Sequence, residues 1–281
     1  IGLEYADMFA QLGVEVTVID AAPAPFARFD ADVASVATDI LAKHGVRFVN
    51  GAKVASFVEN GDGVVVNYSL TTPAGEAENQ ELAVDYVLLA VGRRPATDGL
   101  GLETAGIATG ARGEVVVDEF CRTNVPGVFA VGDVNGGPQF TYISFDDHRV
   151  VMDQLVGSGK RSTAGRIIPT STFINPPLST VGLGEQAARE AGYEVRVASK
   201  SVAAIAAMPR PKIVGNPDGV IKFVIDAATD RILGASLLVI DSQELINLVA
   251  LAIKQGLTAA DLAGAIYTHP SSSEAFNEVL A

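Results

Sequence analysis

The residues best suited to chemistry lie near the carboxyl end of the chain, where His269 is followed by a proline, three serines and Glu274. Histidine changes charge near neutral pH, so it can accept and donate protons under ordinary conditions. A glutamate five residues away can hydrogen-bond the other ring nitrogen and fix its tautomer. The spacing Ser271-x-x-Glu274 also matches a capping box, which accounts for Glu274 without catalysis. The two interpretations are compatible, and the pattern alone leaves both open.

A second candidate site is the apolar strand predicted at 128–131, which ends at Gly132 and Asp133. Open α/β sheets bind ligands where a strand delivers side chains to a loop, so Asp133 is a candidate acceptor for ligand hydroxyl groups. A helix is predicted over 142–155, after the loop. Its amino end offers backbone N–H groups and positive dipole character to an electron-rich ligand edge.

The amino-terminal segment has the pattern of the second half of a βαβ nucleotide-binding unit. Residues 1–12 show helical apolar spacing, and residues 14–19 alternate as a strand that ends at Asp20. Gly2 is predicted to be the third glycine of a G-x-G-x-x-G turn that begins upstream, so we expect the natural chain to be longer. Asp20 is placed to accept from a ribose 2′-OH, which favours NADH, whereas Arg28 can reach a 2′-phosphate and leaves NADPH open.

The elements that must position these residues alternate between helical and strand patterns. A linker rich in Gly, Ser and Lys is predicted near 157–166, and beyond it a sheet with helices on one face predicts an interface domain. A capping box is predicted at Thr258-x-x-Asp261. The predicted helices are 32–44 and 241–256, the predicted strands are 47–50, 53–59, 64–70, 85–90, 220–226 and 231–239, and turns are predicted at 61–63, 73–75 and 227–230.

Composition limits the class of protein. The 281 residues predict two or three domains, and 48% hydrophobic content with a mean hydropathy of +0.30 allows buried cores. No apolar run reaches roughly 18 residues, and a net charge of −13 disfavours nucleic acid and anionic membranes as partners. The single cysteine, Cys121, excludes an internal disulfide, and we interpret it as a half-buried filler without a redox role. We expect a cytoplasmic protein without a signal peptide or a metal site.

Four motifs resemble those of the class I pyridine nucleotide–disulfide oxidoreductases. The pattern T-x4-V-F-A-V-G-D at 123–133 resembles the second flavin-binding motif of that family, and residues 90–95 resemble its A-T-G-R-x-P segment, with Val91 where threonine is usual. The pattern H-P-x-x-x-E at 269–274 matches the His–Glu dyad, and 168–182 resembles the start of the dimerisation domain. The resemblance implies an α/β protein with a Rossmann-like NAD(P)-binding domain at 1–92, part of an FAD-binding domain at 93–165 and an α+β dimerisation domain at 166–281.

The resemblance also implies FAD and NAD(P)H as cofactors, a homodimer, and roles for individual residues. Electrons are expected to pass from NAD(P)H to FAD, then to a C-x4-C disulfide upstream of this sequence, and then to the acceptor. His269 and Glu274 are expected to serve the charge-transfer thiol of the opposite subunit, across a His269–Pro270 bond that is often cis in relatives. The residues expected at the cofactors are Gly2, Glu4 and Asp20 for NAD(P)H, Gly92 at the exit from the NAD(P) domain, and Gly132, Asp133, Phe140, Thr141 and Tyr142 for FAD.

Two segments favour one branch of the family. Residues 140–147 and 175–182 differ from lipoamide dehydrogenases and look more like the mercuric-reductase-like group, closest to its reactive-chlorine-responsive, copper(II)-reducing members. The carboxyl terminus has no paired cysteines, which argues against mercuric ion reduction. We therefore predict an FAD-dependent NAD(P)H oxidoreductase with a disulfide or a metal ion such as Cu(II) as acceptor, and expect this segment alone to be inactive. Two alternatives stay open: a dihydrolipoyl dehydrogenase and a non-catalytic nucleotide-binding or dimerisation scaffold.

Overall fold

A computed structural model gives the fold, and it describes residues 1–71 and 75–281. The chain forms two compact units, one discontinuous unit made of 1–90 and 167–281, and one unit made of 91–166. The predicted three-domain division stays a prediction. The turn predicted at 73–75 lies, apart from Gly75, outside the described residues.

The amino-terminal part of the discontinuous unit is a parallel strand–helix–strand layer. Strands β1 (Val16–Ile19) and β2 (Val46–Val49) pair in parallel, with Val16 opposite Val46. Helix α2 (Ala31–Lys43) connects them and buries Val33, Ala34, Ala37, Ile40 and Leu41, which recur at helical spacing. Helix α1 (Gly2–Gln11) contributes Ala6 and Ala10 to the same core. The helical and strand segments predicted before residue 50 are thus present, with ends shifted by one or two residues.

A three-stranded antiparallel sheet follows, in the order β3-β4-β5. The strand predicted at 85–90 is wrong, because in the described chain this segment pairs with no neighbouring strand, and Tyr86 is 91% exposed. The strand that completes the sheet is the more polar segment before it, which pairs along its whole length with β4. The strands are β3 (Ala52–Asn60), β4 (Gly63–Thr71) and β5 (Ala77–Val84).

The carboxyl-terminal part of the discontinuous unit is a five-stranded antiparallel sheet with the order β6-β7-β10-β9-β8. Its strand β9 is buried along its whole length, and helix α6 packs on β7 and β10. The predicted capping box at Thr258 and Asp261 is confirmed at the start of α7. The strands are β6 (Thr170–Thr172), β7 (Leu178–Gly182), β8 (Val195–Ser201), β9 (Val220–Asp226) and β10 (Ile232–Leu238). The helices are α4 (Glu185–Glu190), α5 (Arg210–Ile213), α6 (Ser242–Gln255), α7 (Ala259–Ala263) and α8 (Ala275–Val279).

Two buried polar clusters join the amino- and carboxyl-terminal parts of this unit. Asp7 of α1 accepts hydrogen bonds from the ring Nδ1 of His44, at 2.7 Å, and from the backbone N–H of Asn175, also at 2.7 Å. In the second cluster, the ammonium group of Lys222 lies 2.9–3.0 Å from carboxylate oxygens of Asp30, Asp32 and Glu185. Burying a charged side chain costs free energy unless hydrogen-bonding or charged partners compensate it. The two clusters therefore fix the relative placement of these segments, because a shift would remove the partners.

The 91–166 unit contains few regular elements. The strand predicted at 128–131 is wrong: the segment forms only an isolated bridge, between Phe129 and Arg122, and no ladder. A strand requires a continuous hydrogen-bonded neighbour, and within this unit the segment lies among turns. It is followed by a short 3-10 helix, Gly132–Asn135, and by α3 (Thr141–Val156), which matches the predicted helix with one residue added at each end.

Candidate functional site

The loop that carries the predicted flavin residues begins with a glycine in a conformation that other residues avoid. Gly132 has φ +72°, in the left-handed region, and a Cβ atom built there would lie 2.7 Å from Oγ of Ser144 on α3. Both the backbone conformation and the close approach of α3 require glycine here. This accounts in physical terms for the glycine of the Gly-Asp pair at the end of the motif.

Asp133 follows directly and presents its carboxylate at the surface of the unit. Its side chain is about half exposed, and Oδ2 lies 3.6 Å from a guanidinium nitrogen of Arg93. Arg93 also donates to the backbone carbonyl of Gln139, at 3.4 Å. The carboxylate is therefore accessible to ligand hydroxyl groups, with a cation beside it.

The start of α3 lies beside a cleft in the same unit. The ring of Phe140, at the helix N-cap, stacks on the ring of Tyr142 with 5.1 Å between centroids, and Thr141 is the first helical residue. Burial raises the pKa of Tyr142, so its phenol stays protonated at neutral pH. The cleft has a volume of about 220 Å³ and is lined by Arg93, Pro95, Arg112, Gly136, Gly137, Gln139 and Phe140. Two guanidinium groups in the lining make it suited to an electron-rich ligand.

The predicted dinucleotide residues lie in the discontinuous unit, apart from Gly92, which lies in the other unit with φ +121°. A Cβ atom at Gly2 would lie 3.3 Å from the Cβ of Ala90, which is the close packing expected of the third glycine. Glu4, in the first turn of α1, accepts from the backbone N–H of Phe173 at 2.8 Å. Burial alone would raise the pKa of Glu4, but this hydrogen bond helps to hold it below its usual value.

Asp20 lies at the carboxyl end of β1, where its Oδ1 accepts from the backbone N–H of Ala22 at 2.9 Å. The side chain is exposed, so its remaining acceptor positions face solvent. Arg28 is exposed as well. The predicted preference for NADH stays a prediction.

The structure brings His269 and Glu274 together, with 2.9 Å between Nδ1 and Oε1. The other carboxylate oxygen of Glu274 accepts from the backbone N–H of Ser271 at 2.8 Å. Only half of the predicted capping box forms, because the Ser271 hydroxyl bonds that of Ser273, and α8 begins one residue after Glu274. The His269–Pro270 peptide is cis. The ring of His269 is 71% exposed, so its Nε2 edge is open to an approaching group.

Sequence reasoning missed two residues that lie behind the loop 132–135, the buried Asp147 and the partly buried Arg166. The carboxylate of Asp147 on α3 accepts from the backbone N–H of Gly132, and Arg166 pairs with that carboxylate. The neighbouring Asp-Asp pair inside an otherwise apolar-sided helix was the available signal. Cys121 is fully buried, whereas we predicted half burial, and burial raises the pKa of its thiol to about 11.

Across 1–71 and 75–281, no group of three or more His, Cys, Asp or Glu side chains is arranged to hold a metal ion. None of the helices within those ranges combines the length and the apolarity needed to cross a bilayer.

Known proteins resemble this chain over its whole length. Residues 1–147 match the family model described as pyridine nucleotide-disulphide oxidoreductase, and residues 168–280 match the model of its dimerisation domain. The probable pyridine nucleotide-disulfide oxidoreductase RclA of Escherichia coli K12 is 44% identical over 282 residues, which cover 100% of this chain and 61% of that protein. A mercuric reductase of Staphylococcus aureus is 34% identical, over 93% of this chain and 46% of that protein.

Among solved structures, the Cu(II) complex of the HOCl-induced flavoprotein disulfide reductase RclA from E. coli superposes with a TM-score of 0.92 at 44% identity. The superposition covers 99% of this chain and 61% of the other. This chain therefore spans about three fifths or less of the length of these relatives.

Proposed function

This chain belongs to the pyridine nucleotide-disulfide oxidoreductase family, and from that premise we propose that the whole protein is an FAD-dependent NAD(P)H oxidoreductase whose acceptor is a disulfide or a metal ion such as Cu(II). The matches confirm the predicted family and the predicted α/β fold class with a dimerisation domain. The observation that carries the proposal is the His269–Glu274 pair at 2.9 Å. An exposed imidazole held by a carboxylate is suited to proton transfer, which the scaffold alternative does not require.

The 91–166 unit has the features that a flavin requires. The accessible carboxylate of Asp133 is suited to hold hydroxyl groups of a ribitol chain, and Gly132 lets the loop lie close to α3. The start of α3 at Phe140, Thr141 and Tyr142 offers its positive dipole end to the electron-rich edge of the ring system. Bound FAD supplies the electron transfer between a nicotinamide and a dithiol.

The discontinuous unit supplies the remaining roles. Gly2 allows α1 to pack closely at the dinucleotide, Glu4 lies at the nicotinamide, and Asp20 accepts from the ribose 2′-OH, which favours NADH over NADPH. With Nδ1 of His269 facing Glu274, Nε2 is the ring atom that exchanges a proton with a thiol. Glu274 stays ionised and keeps the ring in the tautomer that has its proton on Nδ1.

We further propose a homodimer in the cytoplasm. Residues 168–280 match a dimerisation domain, and α6 exposes Leu248 and Leu251, which are 45% and 55% accessible. Disulfides in the cytosol are usually transient and catalytic, which fits a dithiol that cycles between reduced and oxidised forms. The partner subunit places a thiol at His269 in this arrangement.

The test is made on the full-length natural protein. We expect about one FAD per subunit, and NADH oxidation that depends on Cu(II) or on a small disulfide other than lipoamide. Turnover with that acceptor is expected to be faster than turnover with lipoamide. The proposal would be contradicted if the purified protein retains no flavin. It would also be contradicted if the flavoprotein fails to oxidise NADH with any of these acceptors. Faster turnover of lipoamide than of Cu(II) would move the protein to the dihydrolipoyl dehydrogenase alternative.

A further inference from the structure

We propose that Asp147 is a positioning residue for the flavin-binding loop, and that Arg166 holds the Asp147 carboxylate in place. The proposal rests on the proposed function, because it assumes that Asp133 binds FAD. It concerns residues that lie behind the loop and do not face the ligand.

The carboxylate of Asp147 is buried and uses both of its oxygens. Oδ2 accepts from the backbone N–H of Gly132 at 2.8 Å and from the side-chain amide of Asn135 at 3.1 Å. Oδ1 lies 2.8 Å from a guanidinium nitrogen of Arg166, whose side chain is only 14% exposed. The side chain of Asp147 is itself 2% exposed, so solvent replaces none of these contacts.

These contacts bracket the residue that faces the ligand. Gly132 and Asn135 are the two ends of the short 3-10 helix that contains Asp133. Asn135 is held in turn, since its side-chain oxygen accepts from the backbone N–H of Gly137 at 3.0 Å. A shift of the loop would leave the Asp147 carboxylate buried with fewer partners, which is costly for a charged group. The backbone at Asp133 is consequently held in one position between these two anchored residues.

The role of Arg166 follows from the charges around it. Its Nε lies 2.8 Å from Oδ2 of Asp146, so a single guanidinium serves two adjacent carboxylates. Asp146 has further cations in Arg161 and Arg149, whereas Arg166 is the one cation that pairs with Asp147 among the described residues. Asp147 therefore depends on Arg166 for its charge partner, whereas Asp146 keeps two other cations if Arg166 is lost.

The variant that tests the proposal is Asp147→Asn in the full-length holoprotein. An asparagine cannot accept through both positions, so one of the contacts to the loop or to Arg166 is lost. We expect FAD to bind roughly tenfold more weakly, as the loss of one charge-assisted hydrogen bond predicts. The visible circular dichroism of the bound flavin is expected to change as well, because it reports the geometry around the ring.

The matched control is Asp153→Asn on the same helix. Asp153 also accepts from two backbone N–H groups, those of Ser158 at 2.9 Å and Arg161 at 2.7 Å, but it does not contact the loop. We expect FAD affinity within about twofold of wild type for this variant. If both variants lose FAD in proportion to their fall in Tm, the role of Asp147 is purely structural and the proposal is overturned.

Other outcomes separate this proposal from the proposed function. Wild-type protein that binds no FAD refutes the proposed function, whereas wild-type binding with unchanged affinity in Asp147→Asn overturns only the positioning role. If Asp147→Asn does not fold, Asn135→Ala decides, because its side chain is only partly buried. That variant supports the proposal if FAD affinity falls at unchanged Tm, and overturns it if affinity is unchanged.

Discussion

Glu274 holds His269 with one carboxylate oxygen, at 2.9 Å, while its other oxygen is anchored by the backbone N–H of Ser271, at 2.8 Å. The Ser271 N–H, and then His269, hold the pKa of Glu274 below its usual value. Glu274 is therefore ionised throughout the neutral pH range. The stabilisation from these contacts is present above the ordinary glutamate pKa and is lost as the pH falls through the lowered value.

We expect His269→Ala in the full-length protein to slow thiol-dependent turnover roughly 100-fold, the usual scale for a lost acid–base group, while FAD binding is unchanged. The measurement is kcat with a disulfide acceptor, together with the flavin content. Ser273→Ala is the control, since it removes a hydroxyl contact of the same loop without touching the histidine. Unchanged turnover in His269→Ala would remove the dyad from the mechanism.

Gly132→Ala is expected to weaken FAD binding and to lower the free energy of unfolding by about 1–2 kcal/mol, the cost of a left-handed conformation for a residue with a Cβ. The contact with Ser144, at 2.7 Å from the added atom, increases the effect. Titration of the apoprotein with FAD and thermal unfolding measure the two quantities. Gly61→Ala, in a hairpin turn with φ +63° and no atom within 4 Å, is the control for backbone strain alone. Equal FAD affinity in the two variants would contradict the prediction.

Asp20→Ala is expected to raise the KM for NADH by about tenfold at unchanged kcat, because the ribose loses a charged acceptor in both the ground and transition states. The kcat/KM ratio for NADH over NADPH is the quantity to compare. Asp62→Ala, an exposed carboxylate in the β3–β4 turn, controls for the change in net charge. A ratio that stays constant in Asp20→Ala shows that the carboxylate does not select the cofactor.

Lys222→Met is expected to lower the free energy of unfolding by about 3 kcal/mol, since it leaves three carboxylates facing one another around a buried position. Burial alone lowers the pKa of Lys222, but hydrogen bonds to Asp32, Glu185 and Asp30 outweigh it and raise the pKa, so the ammonium stays charged. Lys200→Met, which removes a partly exposed pair with Glu278, is expected to cost less than about 1 kcal/mol. Equal losses in the two variants, measured by denaturant unfolding, contradict the prediction. Adding Asp32→Asn to Lys222→Met is expected to recover part of the loss.

Cys121 is expected to resist alkylation in the folded protein. With its pKa raised to about 11 by burial, only about one thiol in a thousand is ionised at pH 8, and the side chain is inaccessible. Iodoacetamide labelling followed by mass analysis of the peptide containing Cys121 measures this, with urea-unfolded protein as the comparison. Rapid labelling without urea would show that this thiol is available for redox chemistry after all.

The segments that sequence predicted well are those in which local pattern decides the structure. The helix predicted at 32–44 is Ala31–Lys43, because its buried residues recur at helical spacing, and the strand predicted at 220–226 is Val220–Asp226. Strand predictions were wrong where pairing with a neighbouring strand, and not the local pattern, determines whether a strand forms. The apolar segment 85–90 pairs with no described strand, while the polar segment Ala77–Val84 pairs fully with β4.

The cofactor and catalytic roles of the candidate site residues stay predictions, and only their local geometry can be compared with the sequence. Motif residues such as Gly132 and Asp133 carry a fixed local spacing, so they could be named from the sequence. The spacing of His269 and Glu274 suggested their contact, but only the structure shows which capping bonds form around them. The Asp-Asp pair at 146–147 marked an unusual helix, but it did not show that Asp147 contacts Gly132, 15 positions earlier, or that it pairs with Arg166, 19 positions later.

The contact between Asp7 and Asn175 limits when the discontinuous unit can fold during synthesis. The Asp7 carboxylate is buried against an N–H group that is synthesised 168 positions later. At about 5–20 residues per second, a ribosome takes on the order of 10–30 s to make that partner, and during this interval the amino-terminal strand–helix–strand layer cannot complete its packing. The discontinuous unit therefore forms late in translation. A nascent chain that stalls before 167–281 leaves the core around Ala6, Ala10 and α2 without Ile174, Leu178, Val220 and Leu238, and so exposes it to chaperones and proteases.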